Sequence, residues 1–208
     1  MRRGRKASKK MSLYRFSERK YLEDFLKGKL SFAIASSYDD VKLTVAQRDD
    51  ERARTFKPDL KKHIFVINGS PIKALKEVEI KHTARDTDGD KLDYYLMSFT
   101  SVYDTKLFAE FRADSCIKII NEVEFKTRLD KTLKAMNWEG LLGAVKYFDP
   151  QKIGVISSNE DILFLKSNQY VWQQEFRAVV FPLSKDDLKD QRKTIEIGDL
   201  SDIARFVK

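Results

Sequence analysis

Apolar residues in this chain fall in short runs whose period switches between two and about 3.6, so short strands and short helices should mix irregularly. Ser12 to Phe16 reads as a strand. Ser17 is placed to cap a helix on which Tyr21, Leu22, Phe25 and Leu26 share one face before Gly28 ends it. Lys29 to Ala35 alternates into a second strand, and Ser36-Ser37-Tyr38-Asp39-Asp40 follows as a polar loop. Residues 46–60 are densely charged and end in Lys57-Pro58-Asp59, which predicts a loop or a solvated, mobile helix. His63 to Ile67 predicts a strand running into Asn68-Gly69, a hairpin signal. Val78 to Arg85 and Leu92 to Thr100 predict two more strands, joined by Asp86-Thr87-Asp88-Gly89-Asp90. That acidic stretch is a tight turn and not a calcium loop. Its glycine comes too early, and Met97 stands where a bidentate Glu is required.

Asp104 is placed to open a short helix carrying Leu107, Phe108 and Phe111, and a strand is expected around Ile117–Ile120. Asn121 with Glu124 forms a capping-box pattern for a helix striped by Phe125, Leu129, Leu133 and Met136. Leu141 to Phe148 predicts a strand, and Asn159 to Lys166 a short helix. An amide- and aromatic-rich loop then feeds an apolar strand at Gln174-Glu175-Phe176-Arg177-Ala178-Val179-Val180. Lys193 to Ile197, Gly198 and Asp199 to Val207 close the chain. The mixing follows no regular strand–helix alternation and no internal repeat, so the fold class is α+β.

Glu175 and Arg177 are two apart on a strand and so share one face. An ionisable pair on an otherwise apolar strand is either a buried ion pair or part of a site.

Composition narrows the choices. The 208 residues fit one domain, and 42% hydrophobic content with fourteen Phe and eight Tyr supports a sizeable core. The single cysteine, Cys116, excludes an internal disulfide and sits in an apolar run as a core residue. With only His63 and His82 besides, a zinc site is not expected, and no metal site is assigned. No apolar run is long enough to span a bilayer and no secretory signal is visible, which predicts a cytoplasmic protein without membrane contact. The net charge of +8 is misleading. Residues 1–10 hold six Lys or Arg and no acid, leaving 34 basic against 32 acidic residues in the remainder. Residues 1–11 are therefore expected to be a disordered basic tail capable of non-specific contact with nucleic acid, and 12–208 the single folded domain. Met11 is an alternative start to Met1.

Several segments, taken in order, resemble an uncharacterised bacterial domain family related to the ADP-ribosyltransferase superfamily. They are Leu13-Tyr14-Arg15-Phe16 before a helix, Leu30-Ser31-Phe32 leading to Ser36-Ser37-Tyr38-Asp39-Asp40, and Met97-Ser98-Phe99-Thr100 ahead of Leu107-Phe108-Ala109-Glu110-Phe111. Val145-Lys146-Tyr147, Phe164-Leu165-Lys166, Gln174-Glu175-Phe176-Arg177 and Ile197-Gly198-Asp199-Leu200-Ser201-Asp202-Ile203 follow. The resemblance covers roughly residues 12–204 and rests on order and spacing. It implies split β-sheets around a central cleft with peripheral helices, and NAD as the substrate held in that cleft. It further implies transfer of ADP-ribose to a macromolecular acceptor, protein or nucleic acid, or simple NAD hydrolysis. Neighbours in the wider group are phage-defence or toxin proteins, so it implies a role of that kind too. Carried over by position, Arg15 would anchor the cofactor, Ser36 or Tyr38 would pack beside the nicotinamide, and Glu175 would be the catalytic carboxylate. Gln173, two before Glu175, fits the position that many such transferases fill with Glu or Gln, and Trp172 is a further candidate for the cleft wall. The second-strand Ser-Thr-Ser pattern of those enzymes is replaced here by Ala35-Ser36-Ser37-Tyr38.

The residue chemistry fits these roles. Breaking the nicotinamide–ribose bond builds positive charge on the sugar, which a fixed carboxylate stabilises. A planar guanidinium suits a pyrophosphate because it bonds two oxygens at once. Three other readings compete. Glu175 could pair with Arg177 or Arg15 merely to tie strands together. Asp59 with Glu79-x-Lys81 has the spacing of a magnesium-dependent restriction-like nuclease. Finally, the aromatic loop could serve a non-catalytic interaction module. No Walker loop, dinucleotide-binding glycine run or Gly-x-Ser-x-Gly elbow is present.

Overall fold

In a computed structural model, residues 12–39, 50–62, 66–67, 70–71, 77–152 and 156–207 are described. The basic segment 1–11 and the Asn68-Gly69 turn lie outside them. In chain order the elements are β1 (Leu13–Ser17), α1 (Arg19–Leu26), β2 (Lys29–Ile34), β3 (Ala53–Phe56), β4 (Val66–Ile67), β5 (Ser70–Pro71), β6 (Ile80–Thr83) and β7 (Tyr95–Thr100). There follow α2 (Lys106–Glu110), β8 (Ser115–Ile119), α3 (Glu122–Ala135), β9 (Trp138–Ala144) and β10 (Lys146–Phe148). The last are α4 (Asn159–Leu163), β11 (Leu165–Ser167), β12 (Glu175–Pro182), β13 (Arg192–Glu196) and β14 (Ala204–Phe206). Strands and helices intermix as the sequence predicts, and the class is α+β. Among the described residues no helix is long and apolar enough to cross a membrane.

The main sheet is antiparallel and forks at β7. Along one edge β7 pairs with β12 from Glu175↔Thr100 to Val180↔Tyr95, and β9 lies beyond β12. Its other edge is shared. β2 takes the amino-terminal end through Ala33↔Leu96 and Ile34↔Tyr95, whereas β1 takes the carboxy-terminal end at Tyr14↔Thr100. Each branch then adds strands of its own, β13 outside β2, and β8 then β14 outside β1. β3–β6 and β4–β5 form antiparallel pairs, and β10–β11 a parallel one.

Strand alternation sorts the two faces. Phe99, Met97, Tyr95, Phe176, Ala178 and Val180 point to one side, where α1 brings Leu22 and Phe25 and α3 brings Phe125, Leu129 and Leu133. This is the main core, and each large apolar side chain buried there contributes roughly 1.5–3 kcal/mol. Helix α3 begins after Asn121 with half of the predicted capping box, the Asn121 side chain accepting from the Glu124 amide while the Glu124 carboxylate accepts from Arg128 Nε at 2.8 Å. Ser17 does not cap α1. It is paired with Ser115 in the sheet, and the Asp114 carboxylate accepts the Arg19 amide at 2.7 Å instead. Gly28 does end α1, at φ +85°, and its missing side chain admits the Gly198 carbonyl. The Asp86–Asp90 turn closes on Gly89 at φ +84° with an Arg85↔Lys91 bridge.

Three elements differ from expectation. Residues 50–56 are not a solvated loop: β3 packs there, and Glu51 and Arg54 are buried. The helix after Asn159 stops at Leu163, so that Lys166 lies on β11. The strand expected from Leu141 to Phe148 starts earlier and breaks at Val145, whose amide is taken by the Glu175 carbonyl.

Candidate functional site

The opposite face of the forked sheet carries polar residues at alternate positions. Leu96, Ser98 and Thr100 of β7, Tyr14 and Phe16 of β1, Ser31 and Ala33 of β2, and Glu175 of β12 line a cavity of about 450 Å³. Arg15, Ser37, Tyr38, Glu51, Phe111, Lys166, Gln173 and Arg192 are also in its walls. The size falls within the range of small-molecule sites. Four of the residues singled out from the sequence, Arg15, Tyr38, Gln173 and Glu175, therefore converge on one hollow.

The remaining two candidates do not line it. Ser36 lies in the 3₁₀ turn of Ala35–Asp39, its amide donating to Asp93 at 3.1 Å, while Ser37 takes the wall position. Trp172 is 40% exposed and stands behind the wall, its ring 6.4 Å from that of Phe111. Phe111 in turn belongs to an aromatic group with Phe16, Phe108 and Tyr103.

Arg15 crosses the fork. Its Nη1 donates to the Ser98 carbonyl at 2.6 Å, giving that part of β7 a hydrogen bond that a neighbouring strand would otherwise supply. The guanidinium also lies 5.9 Å from the Phe99 ring centroid. Burial pushes its pKa down to about 10, an effect that Tyr38 opposes and Arg192 adds to. No carboxylate pairs with Arg15 among the described residues.

Glu175 is only 5% exposed, and both its oxygens are occupied. Oε1 accepts from Arg177 Nε and from the Ser98 hydroxyl, each at 2.7 Å. Oε2 accepts from Lys166 Nζ at 2.9 Å and Arg177 Nη2 at 3.3 Å. A carboxylate offers about four lone-pair sites, and all four are used. Burial alone would raise the pKa of this acid. The charges of Arg177 and Lys166, with hydrogen bonds from Arg177 and Ser98, outweigh burial and hold it far below the usual carboxylate range. Glu175 is thus an ionised, immobilised charge and not a proton acceptor at neutral pH.

The cluster continues inward. Arg177 is fully buried, donating to the Leu163 carbonyl at 2.6 Å and pairing with Glu51 at 2.7 Å. Glu51 also pairs with Arg54 at 3.2 Å, and Arg54 donates to the carbonyls of Leu165 and Asp50. Tyr94 donates to the Glu51 carbonyl at 2.7 Å. The predicted same-face pair Glu175–Arg177 is therefore real, and is one link in a larger network.

Backbone shape sets where Glu175 begins. Gln174 is left-handed at φ 40°, uncommon for a residue with a side chain, and its carbonyl receives the Ser101 amide at 2.9 Å. The next amide, of Glu175 itself, donates to the Tyr147 hydroxyl at 2.8 Å.

Sequence reasoning missed Glu51, Arg54, Lys166, Ser98, Tyr147 and Arg192. Alternation within Ala53-Arg54-Thr55-Phe56 was the available sign that the charged run enters the fold.

Asp59, Glu79 and Lys81 each pair with a different residue. Asp59 pairs with Lys62 at 3.5 Å, Glu79 with Lys57 at 3.2 Å and Lys81 with Asp50 at 3.3 Å. Among the described residues no group of three or more His, Cys, Asp or Glu is placed to hold a metal ion.

Compared with known proteins, the chain matches no protein family, no curated protein and no solved structure.

Proposed function

We propose that the cavity on the polar face of the fork is a nucleotide cleft, that NAD is its substrate, and that the protein transfers ADP-ribose to a macromolecular acceptor or to water. The observation that carries this reading is the convergence of Arg15, Tyr38, Gln173 and Glu175, distant in sequence, on one hollow of about 450 Å³. Its chemistry fits the substrate. Aromatic side chains (Tyr14, Phe16, Tyr38 and Phe111) offer faces for planar rings, and Arg15, which has no carboxylate partner among the described residues, offers guanidinium donors for phosphate oxygens.

In this reading Glu175 acts by charge. Positive charge gathers on the ribose as its bond to nicotinamide breaks, and a carboxylate that is already ionised and fixed needs no reorganisation to oppose it. To accept a ribose hydroxyl, Glu175 must release a donor. Ser98 is the neutral one of its three partners, so exchanging its hydroxyl sacrifices no ion pair.

Full occupancy of Glu175 favours a second reading, in which the cleft binds the nucleotide without cleaving it. One experiment separates the two. NAD affinity is measured by titration calorimetry, and nicotinamide release by chromatography, for wild type and Glu175→Gln after circular dichroism confirms folding. Transfer or hydrolysis requires release by wild type and a loss of about 10²-fold or more in the variant. Binding with no release supports the second reading, and absence of NAD binding refutes both.

A further inference from the structure

When the ion pairs around the cavity are assigned among the described residues, two cations remain. Glu51 and Glu175 are held by Arg54, Lys166 and Arg177. Arg15 and Arg192 also line the cavity, and among the described residues neither has a carboxylate partner. Counting these seven side chains, five cations stand against two carboxylates, a net charge of +3. Neighbouring unpaired cations repel, and a dianionic ligand relieves that repulsion.

Arg192 approaches from a different branch of the fork from Arg15. It opens β13 opposite Ala33, and strand alternation places it on the Ser31–Ala33 side, which lines the cavity. The next residues on the other side, Lys193 and Ile195, face the Trp138 ring and the main core. Among the described residues its side chain makes one polar contact, a long bond from Nη1 to the Ser31 hydroxyl at 3.4 Å, which leaves most of its donors available. Tyr38 lines the same cavity as both arginines.

We infer that Arg192 completes a diphosphate subsite, with Arg15 on β1 and Arg192 on β13 bracketing the two phosphoryl groups of the ligand from opposite branches of the fork. This deepens the nucleotide reading and rests on it only for what is attached to the diphosphate. A guanidinium presents a fork of donors to two oxygens of a phosphoryl group, so two such forks match a diphosphate better than a monophosphate. Arg192 is exposed and packs into no core, so its replacement leaves the fold intact.

The test is calorimetric titration of the full chain with inorganic pyrophosphate, ADP-ribose and uncharged adenosine, for wild type, Arg192→Gln and Arg192→Lys. Loss of charge-assisted bonds predicts that Arg192→Gln weakens pyrophosphate and ADP-ribose by about tenfold or more, with adenosine unchanged. Arg192→Lys, which keeps the charge without the fork, should recover part of that loss. Equal affinity of wild type and Arg192→Gln for both diphosphates overturns the inference, as does failure of wild type to bind either. The two proposals fail separately. Arg192-dependent pyrophosphate binding without NAD binding sustains the subsite and sinks the NAD reading. Undiminished NAD binding and cleavage by Arg192→Gln does the reverse.

Discussion

Replacing Glu175 by Gln keeps the shape of the side chain and removes its charge from a network in which every lone pair is used. If the amide oxygen takes the place of Oε1, facing Arg177 Nε and the Ser98 hydroxyl, the amide nitrogen must occupy the place of Oε2. There it meets Lys166 Nζ, now 2.9 Å from that oxygen, and Arg177 Nη2 at 3.3 Å, donor against donor. The opposite rotamer sets the nitrogen against Arg177 Nε and leaves only the rotatable Ser98 hydroxyl as an acceptor. Arg177 keeps Glu51 and the Leu163 carbonyl, so it is weakened and not stranded. Removing one partner of a buried pair costs about 3–5 kcal/mol, and the surviving bonds place this variant near the lower figure. A domain with roughly 5–15 kcal/mol in hand remains folded at 25 °C, with its melting temperature lowered by about 10 °C. Urea unfolding followed by circular dichroism measures the loss, and an unchanged slope confirms that the native and denatured states expose the same surface. Repeating the substitution in Arg177→Met completes a cycle in which the two losses fall short of adding by about 1–3 kcal/mol. A loss below about 1 kcal/mol, or strict additivity, would refute the account of Glu175 as the centre of the network.

Three further outcomes follow from the same geometry. The lowered folded pKa of Glu175 gives stability that is complete above its ordinary value of 4.5 and is lost as pH falls toward the folded value, because the unfolded chain protonates first. The urea midpoints of wild type and Glu175→Gln should accordingly converge between about pH 5 and pH 2, and a constant gap would contradict this. Gly28→Ala should cost at least about 2 kcal/mol and Gly89→Ala only about 1 kcal/mol, measured by thermal unfolding. Both residues are left-handed, but a Cβ on Gly28 would lie 1.9 Å from the Gly198 carbonyl oxygen while one on Gly89 meets nothing within 4 Å. Equal losses would show that the two-glycine contact is not rigid. Tyr147→Phe leaves the Glu175 amide without its acceptor, at a cost of about 1–3 kcal/mol, and hydrogen exchange should show that amide exchanging faster. Unchanged exchange would mean that the backbone has found another partner.

The local pattern of this chain was enough to determine its punctuation and the faces of its longer elements. The stripe Phe125, Leu129 and Leu133 with its Asn121 cap, the stop at Gly28, the turn at Gly89 and the shared face of Glu175 and Arg177 all depend on neighbours within a few residues. Short-range sterics and periodicity act at that distance, so they are visible in sequence. Only the tertiary structure decided that the charged stretch around Glu51 and Arg54 goes inside, that Lys166 belongs to a strand, and that β7 serves two branches with Arg15 across the gap. A charged residue reads as solvated until its counter-charge is known, and here Glu51 meets Arg177 and Lys166 from the far end of the chain. The desolvation that would keep such groups in water is offset by bonds to residues with no local signature, and for that reason the cavity belongs to the fold and not to any one segment.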